Sequence, residues 1–252
     1  MRNALRTLRL HRAAWQLLGG PLAWWFLPAA LVTLVLSALG WWGIGALAEH
    51  LADRWLPEEE WRDAPGWLAA LVEVSIWMVL LVLKLKVTKY IMLLLLGPVL
   101  GMVSEAADVH LGAKPVPYSW RLLVNNAWRG MHAVFWMACL EMVVGLSCWA
   151  VAWAIPLLSP LMLALSWTVG AWAYGAAMLD YVWEREGLGA KAGLARSVKH
   201  LGVALGVGVP FSIWMSVPVV AWTLGPLMGG MGAATVAVLA VRRAQPASPA
   251  TT

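Results

Sequence analysis

The chain alternates between long apolar stretches and short polar segments, and the lengths of the apolar stretches limit what they can be. From Leu22 to Ala48 there are 27 consecutive residues without a formal charge, and about 20 apolar residues suffice for a helix to cross a bilayer. This segment reads as a transmembrane helix. The stretch from Trp67 to Val103 has 37 residues, about 55 Å as one helix against a hydrocarbon core of about 30 Å. It must tilt, break or emerge from the membrane. Lys84, Lys86 and Lys89 lie in its middle and Gly97-Pro98 near its end, where proline disfavours helix for the residue before it. It reads as a second crossing helix that emerges on the cytoplasmic side. Met131 to Leu179 has one charge, Glu141, and is interrupted by Pro156 and Pro160. Val203 to Val241 is uncharged and contains Pro210, Pro218 and Pro226. Each of these two stretches reads as a helical hairpin with a tight apolar tip.

The polar segments orient this pattern. Between Glu49 and Gly66 six acidic residues face two arginines, which places that loop outside. The N-terminus, Ser104 to Gly130, Asp180 to Gly202 and the C-terminus carry the basic residues and belong on the cytoplasmic side. Both hairpins therefore return to the side they entered from. Two shapes satisfy this: a re-entrant hairpin, tolerated where irregular backbone is buried in protein or lines a cavity, or two ordinary spans joined by a tiny loop. At the N-terminus, Arg2, Arg6 and Arg9 share one helical face with Ala4, Leu8 and Trp15 opposite, which suits a short helix lying at the interface. The run that follows is too long for the apolar region of a cleaved signal peptide, so it reads as an uncleaved anchor. The expected organisation is an interfacial segment over 1–21, one membrane domain over 22–243 and a disordered Pro/Ala/Ser/Thr tail over 244–252.

Composition agrees. With 62% hydrophobic and 12% charged residues, the chain has about half the charge that a water-facing domain carries. The net charge of +5 comes from residues flanking apolar segments rather than from a basic stripe, so topology explains it and a nucleic-acid partner is not expected. Cys139 and Cys148 sit in an apolar run without metal-ligand spacing. No nucleophile elbow, metalloprotease motif, phosphate loop or dinucleotide fingerprint occurs, so neither an enzyme nor a cofactor or metal site is expected.

The charges inside or beside apolar segments are the candidates for chemistry. Lys86 and Lys89 are three apart and share a helical face, from which they can attract an anion; the alternative is that all three lysines snorkel at the boundary of a span from Trp67 to Leu83. Glu141 must be protonated, hydrated or paired, with Lys86 or Lys89 as a plausible partner. Glu105, Asp108 and His110 form a small group after Gly97-Pro98, with both carboxylates on one helical face; a cation site and a solvated helix end are both conceivable there. Gly97 to Gly101, Gly202 to Gly206 and Gly225 to Gly229 each give the small-xxx-small spacing that permits close helix approach.

Several motifs carry a family resemblance. Ala171-Trp172, Leu179-Asp180-Tyr181, prolines at 218 and 226, and Gly232-Ala233-Ala234-Thr235 resemble the CysZ-type sulfate permease family within the etoposide-induced-protein superfamily. Gly97-Pro98 through Ser104-Glu105 is similar to that family's proline-glycine-glutamate segment, and Arg121 begins a stretch like its amphipathic helix. The resemblance implies an all-α integral membrane protein with two long crossing helices and two helical hairpins entering from the cytoplasmic side. It also implies a permease or channel for sulfate or a related small oxyanion in the bacterial inner membrane, with both termini cytoplasmic. Glu105 and Asp108 match its acidic positions; Leu22, Ala23 and His110 stand where its pattern has arginines. The expected substrate-binding residues are Glu105, Asp108, His110, Lys86 and Lys89, with Glu141 in charge pairing. The expected partners are the lipid bilayer, a small inorganic anion and further copies of the chain in a homo-oligomer. A non-conducting accessory protein of the same fold is the alternative, motivated by Leu22 and Ala23.

Overall fold

The computed structural model describes residues 2–55, 67, 70–71, 74, 94–115, 119–217, 220 and 224–244. Among the described residues the regular structure is helical, as expected. Helix α1 (Arg2–Leu18) turns through a short 3-10 segment, Ala23–Trp25, into α2 (Phe26–Trp55). Helix α3 occupies 94–110. Helix α4 (Trp120–Ala154) and α5 (Ser159–Arg185) are joined by the 3-10 turn Pro156–Leu158. Helix α6 (Ala190–Lys199) and α7 (Leu201–Ser216) follow, and a π-helical turn, Gly225–Gly229, leads into α8 (Gly230–Ala244).

The first hairpin turns where its prolines place the break. Pro156 opens the 3-10 turn and Pro160 falls in the first turn of α5, where its missing N–H has no intrahelical role. The second hairpin is shorter. The 16 residues of α7 give about 24 Å, less than the ~30 Å core, whereas the 27 residues of α5 give about 40 Å. Trp167 donates its indole N–H to the Ser216 hydroxyl at 3.1 Å, so the end of α7 lies level with the first third of α5. The tip of the first hairpin projects beyond it, with Trp153 and Leu157 fully displayed. A span that stops short and a bent helix pair at α6–α7, turned by 95°, fit a re-entrant second hairpin.

Several boundaries differ from expectation. Helix α2 does not stop at Ala48 but continues to Trp55, through the start of the acidic segment, because helix needs no apolar environment once the chain leaves the membrane. Helix α3 runs through Gly97-Pro98 and on past Val103 to residue 110, so the proline does not end it. The segment starting at Trp120 is not a separate connection but the first part of the 35-residue α4.

Packing centres on α5. It touches α4, α6, α7 and α8, and α1 lies across α7 and α8. From Gly170 to Asp180 every residue of α5 is buried, as is every residue of α8 from Gly230 to Ala240. In lipid, apolar side chains have little reason to prefer each other over acyl chains, so close backbone approach takes over as the source of helix affinity. It is most evident where α5 crosses α7: a Cβ on Gly175 would run into the Ala204 carbonyl, and one on Gly208 into the Ala171 carbonyl. The expected small-residue spacings also lie at contacts. Gly97 and Gly101 face Tyr181, Gly202 and Gly206 face α1, and Gly229 faces the Phe211 ring.

Candidate functional site

Helices α3, α5 and α8 bring their C-terminal turns together, and the charges there form the candidate site. Two of these ends are set by glycine. Gly112 and Gly187 have φ of 94° and 77°, the left-handed conformation that ends a helix without steric cost. In each case the N–H of the glycine and that of the next residue return to carbonyls of the last turn: Gly112 to Val109 and Ala113 to Asp108, Gly187 to Glu184 and Leu188 to Trp183. This locks Asp108 and Arg185 into final turns.

Three helix C-termini are three negative dipole ends. A carboxylate among them needs cations, and Asp108 has two. Arg242 donates from Nε to Oδ1 at 2.6 Å and from Nη2 to Oδ2 at 2.7 Å, a bidentate fork. Arg185 adds Nε to Oδ2 at 3.3 Å, and its Nη2 reaches the Ser104 hydroxyl at 2.9 Å and the Ser104 carbonyl at 3.4 Å. The Asp108 side chain is 3% exposed, Arg185 15% and Arg242 36%, so the carboxylate is the buried centre and Arg242 its link to water. Burial alone would push the Asp108 carboxyl up; the Arg242 hydrogen bonds and the charges of both arginines outweigh it and hold the carboxyl below its ordinary value. Glu105, one turn earlier and half-buried, adds negative charge toward Arg185.

A second ion group lies alongside. Arg129 of α4 reaches Asp180 at 2.9 Å and Glu184 at 3.1 Å, both on α5. Gly193 of α6 sits directly on Asp180; any side chain there would meet the carboxylate oxygen. Arg196 pairs with Glu186 at 2.7 Å and lies over the Trp183 ring at 5.7 Å. The Asp-Tyr pair of the sequence motif thus has a structural role. Asp180 ties α5 to α4 and α6, while Tyr181 packs on the bare faces of Gly97 and Gly101 in α3.

A family profile described as Sulfate transporter CysZ/Etoposide-induced protein 2.4 matches residues 9–226. The chain belongs to this family. No curated protein sequence matches it. Membership in the CysZ/etoposide-induced family, together with helices long and apolar enough to cross a bilayer, makes this a multi-pass membrane protein.

The expected site residues separate in the structure. Asp108 is the buried hub; Glu105 lies one turn away; His110 is exposed at the end of α3. Lys86 and Lys89 lie outside the described residues. Glu141 is buried on α4 with its carboxylate against Gly170, where a Cβ would come within 3.2 Å of Oε1. Sequence reasoning missed the arginines. Arg185, Arg242 and Arg129 were visible as charges bordering apolar segments, but their partners are 77, 134 and 51 residues away. The signal available was topological: all three border segments expected to end on the same side. Leu22, at a position where the family pattern has arginine, is buried in the core at 4% exposure.

Proposed function

We propose that the protein is a permease or channel for sulfate or a related small oxyanion in the bacterial inner membrane, its basic ends and both termini cytoplasmic. One observation carries the reading: Arg185 and Arg242 converge on a single buried carboxylate. A guanidinium fork that donates to two carboxylate oxygens can donate equally well to two oxygens of a tetrahedral oxyanion. The chain supplies its own anion at the place where a mobile one would be held.

In this reading Asp108 is a tethered counter-ion. An entering oxyanion takes over the Arg242 fork, Asp108 swings toward water, and Arg185 with the Ser104 hydroxyl completes the coordination. Glu105 keeps the local charge near neutral, so the anion is held weakly enough to leave. These arginines stand in for those absent at Leu22 and Ala23. Lys86 and Lys89 would extend the path into the crossing helix, and the exposed His110 lies at its mouth.

Thermal unfolding of the detergent-solubilised protein with and without sulfate tests this. A ligand at about a hundred times its Kd stabilises by about 2.7 kcal/mol, or roughly 5–10 °C at ~2–4 °C per kcal/mol. Sulfate also strengthens burial non-specifically, so the readout is the difference between the wild type and Arg185→Gln/Arg242→Gln. A shift confined to the wild type supports the site; equal shifts refute it. The accessory-protein reading is favoured by one feature, the core position of Leu22, and predicts equal shifts.

A further inference from the structure

Two helices leave the membrane pattern at right angles. Helix α1 is turned by 88° from the start of α2, and α6 by 95° from α7. A helix perpendicular to a membrane-crossing neighbour lies along the membrane plane. The turn between α1 and α2 carries Trp24 and Trp25 in contact at 4.4 Å, with Trp24 64% exposed, an aromatic pair of the kind that settles at the headgroup boundary.

The inner face of α1 is occupied by protein. Thr7, Ala14 and Leu18 are buried, and the His11 ring nitrogen Nε2 contacts the Gly206 carbonyl at 3.1 Å. Its outer face carries Arg6, Arg9 and Arg12, all exposed, with Leu5 among them. Helix α6 repeats the arrangement: Gly193 and Ser197 face inward, while Lys191, Lys199 and the 54% exposed Val198 face out. Asn3 and Ala4 pack against Gly202, so the start of α1 adjoins the start of α7, just past the bend that follows α6.

We propose that α1 and α6 together form a binding surface for anionic phospholipid headgroups. Five exposed cations lie on two helices set at right angles to their apolar neighbours, and each outer face also displays an aliphatic side chain. That mixture suits the boundary between phosphates and acyl chains better than it suits an acidic soluble protein, for which exposed Leu5 and Val198 offer nothing. The lipid would hold α1 against α7 and α8 and fix the height of the bundle in the membrane. The inference is independent of what the protein transports.

The test is native mass spectrometry of the full-length protein titrated with phosphatidylglycerol or phosphatidylcholine, compared with Arg6→Gln/Arg9→Gln/Arg12→Gln. Each basic side chain near an anionic surface contributes several-fold to binding, so the triple variant should bind phosphatidylglycerol about a hundredfold more weakly. Lys191→Gln/Lys199→Gln should lose about twentyfold. The side chains are exposed, so unchanged helical circular dichroism is expected in both. Wild type that binds the two lipids equally, or a triple variant with undiminished phosphatidylglycerol binding, overturns the proposal. So does co-purification of a stoichiometric acidic protein in place of lipid.

Discussion

Replacing Asp108 with Asn removes the charge on which two arginines converge while keeping the side chain's size. Breaking a buried ion pair costs about 3–5 kcal/mol when the remaining charge stays buried. Here Arg242 is 36% exposed and regains water, whereas Arg185 at 15% does not, so the cost should fall at the lower end, about 3 kcal/mol. At ~2–4 °C per kcal/mol for a chain of this size, the apparent Tm in detergent should drop by roughly 6–12 °C. Cys148, buried on α4, gives the assay its reporter: a thiol-reactive fluorophore reads its exposure during heating. Asp108→Asn combined with Arg242→Gln should cost less than the two single changes added, by about 0.5–3 kcal/mol. A Tm within a degree of wild type for Asp108→Asn, or strict additivity in the double variant, would refute the network.

Other expectations follow from the same structure. Because the folded Asp108 carboxyl titrates below its ordinary value, its contribution is complete above about pH 3.9 and is lost as pH falls through the folded value. The Tm gap between wild type and Asp108→Asn should therefore be constant from neutrality to about pH 5 and close only in stronger acid; a gap that closes near neutrality contradicts the assignment. Gly175→Ala and Gly208→Ala place a methyl on backbone, and each should cost about 1–3 kcal/mol or more, read as loss of monodisperse protein. Gly43→Ala, with nothing within 4 Å of the new atom, should leave the yield unchanged. Ser159→Cys, at the tip of the longer hairpin, should react with a membrane-impermeant thiol reagent from the outer side. Val217→Cys, at the end of the 24 Å α7, should not; labelling of both from outside would make both hairpins full spans.

How much of this was legible in the sequence depends on the range of the interaction. The α4–α5 turn was readable because two prolines a few residues apart interrupt an apolar run, a purely local signal. The extent of α2 and α3 was not, since composition marks where the membrane ends rather than where the helix ends, and Gly97-Pro98 is carried through a helix that packs on Tyr181. The glycine spacings pointed correctly to close contacts, yet the tightest crossing uses Ala171-xxx-Gly175 against Ala204-xxx-Gly208, two small-residue spacings in which alanine replaces one glycine. Asp108 could be singled out from its place after the second long segment. Its partners could not, because Arg242 lies 134 residues away and looked like the end of a span. Charges at segment termini become informative only once topology says which termini meet.

The central claim is that a small oxyanion passes through the Arg185–Arg242 site, and radiolabelled sulfate flux into proteoliposomes tests it most directly. Wild-type protein should carry sulfate above the rate of empty liposomes. Arg242→Gln should cut the protein-dependent rate by at least tenfold, the effect of losing about 1.4 kcal/mol of anion stabilisation. Wild-type flux no greater than that of empty liposomes, or undiminished flux through Arg185→Gln/Arg242→Gln, would contradict the account.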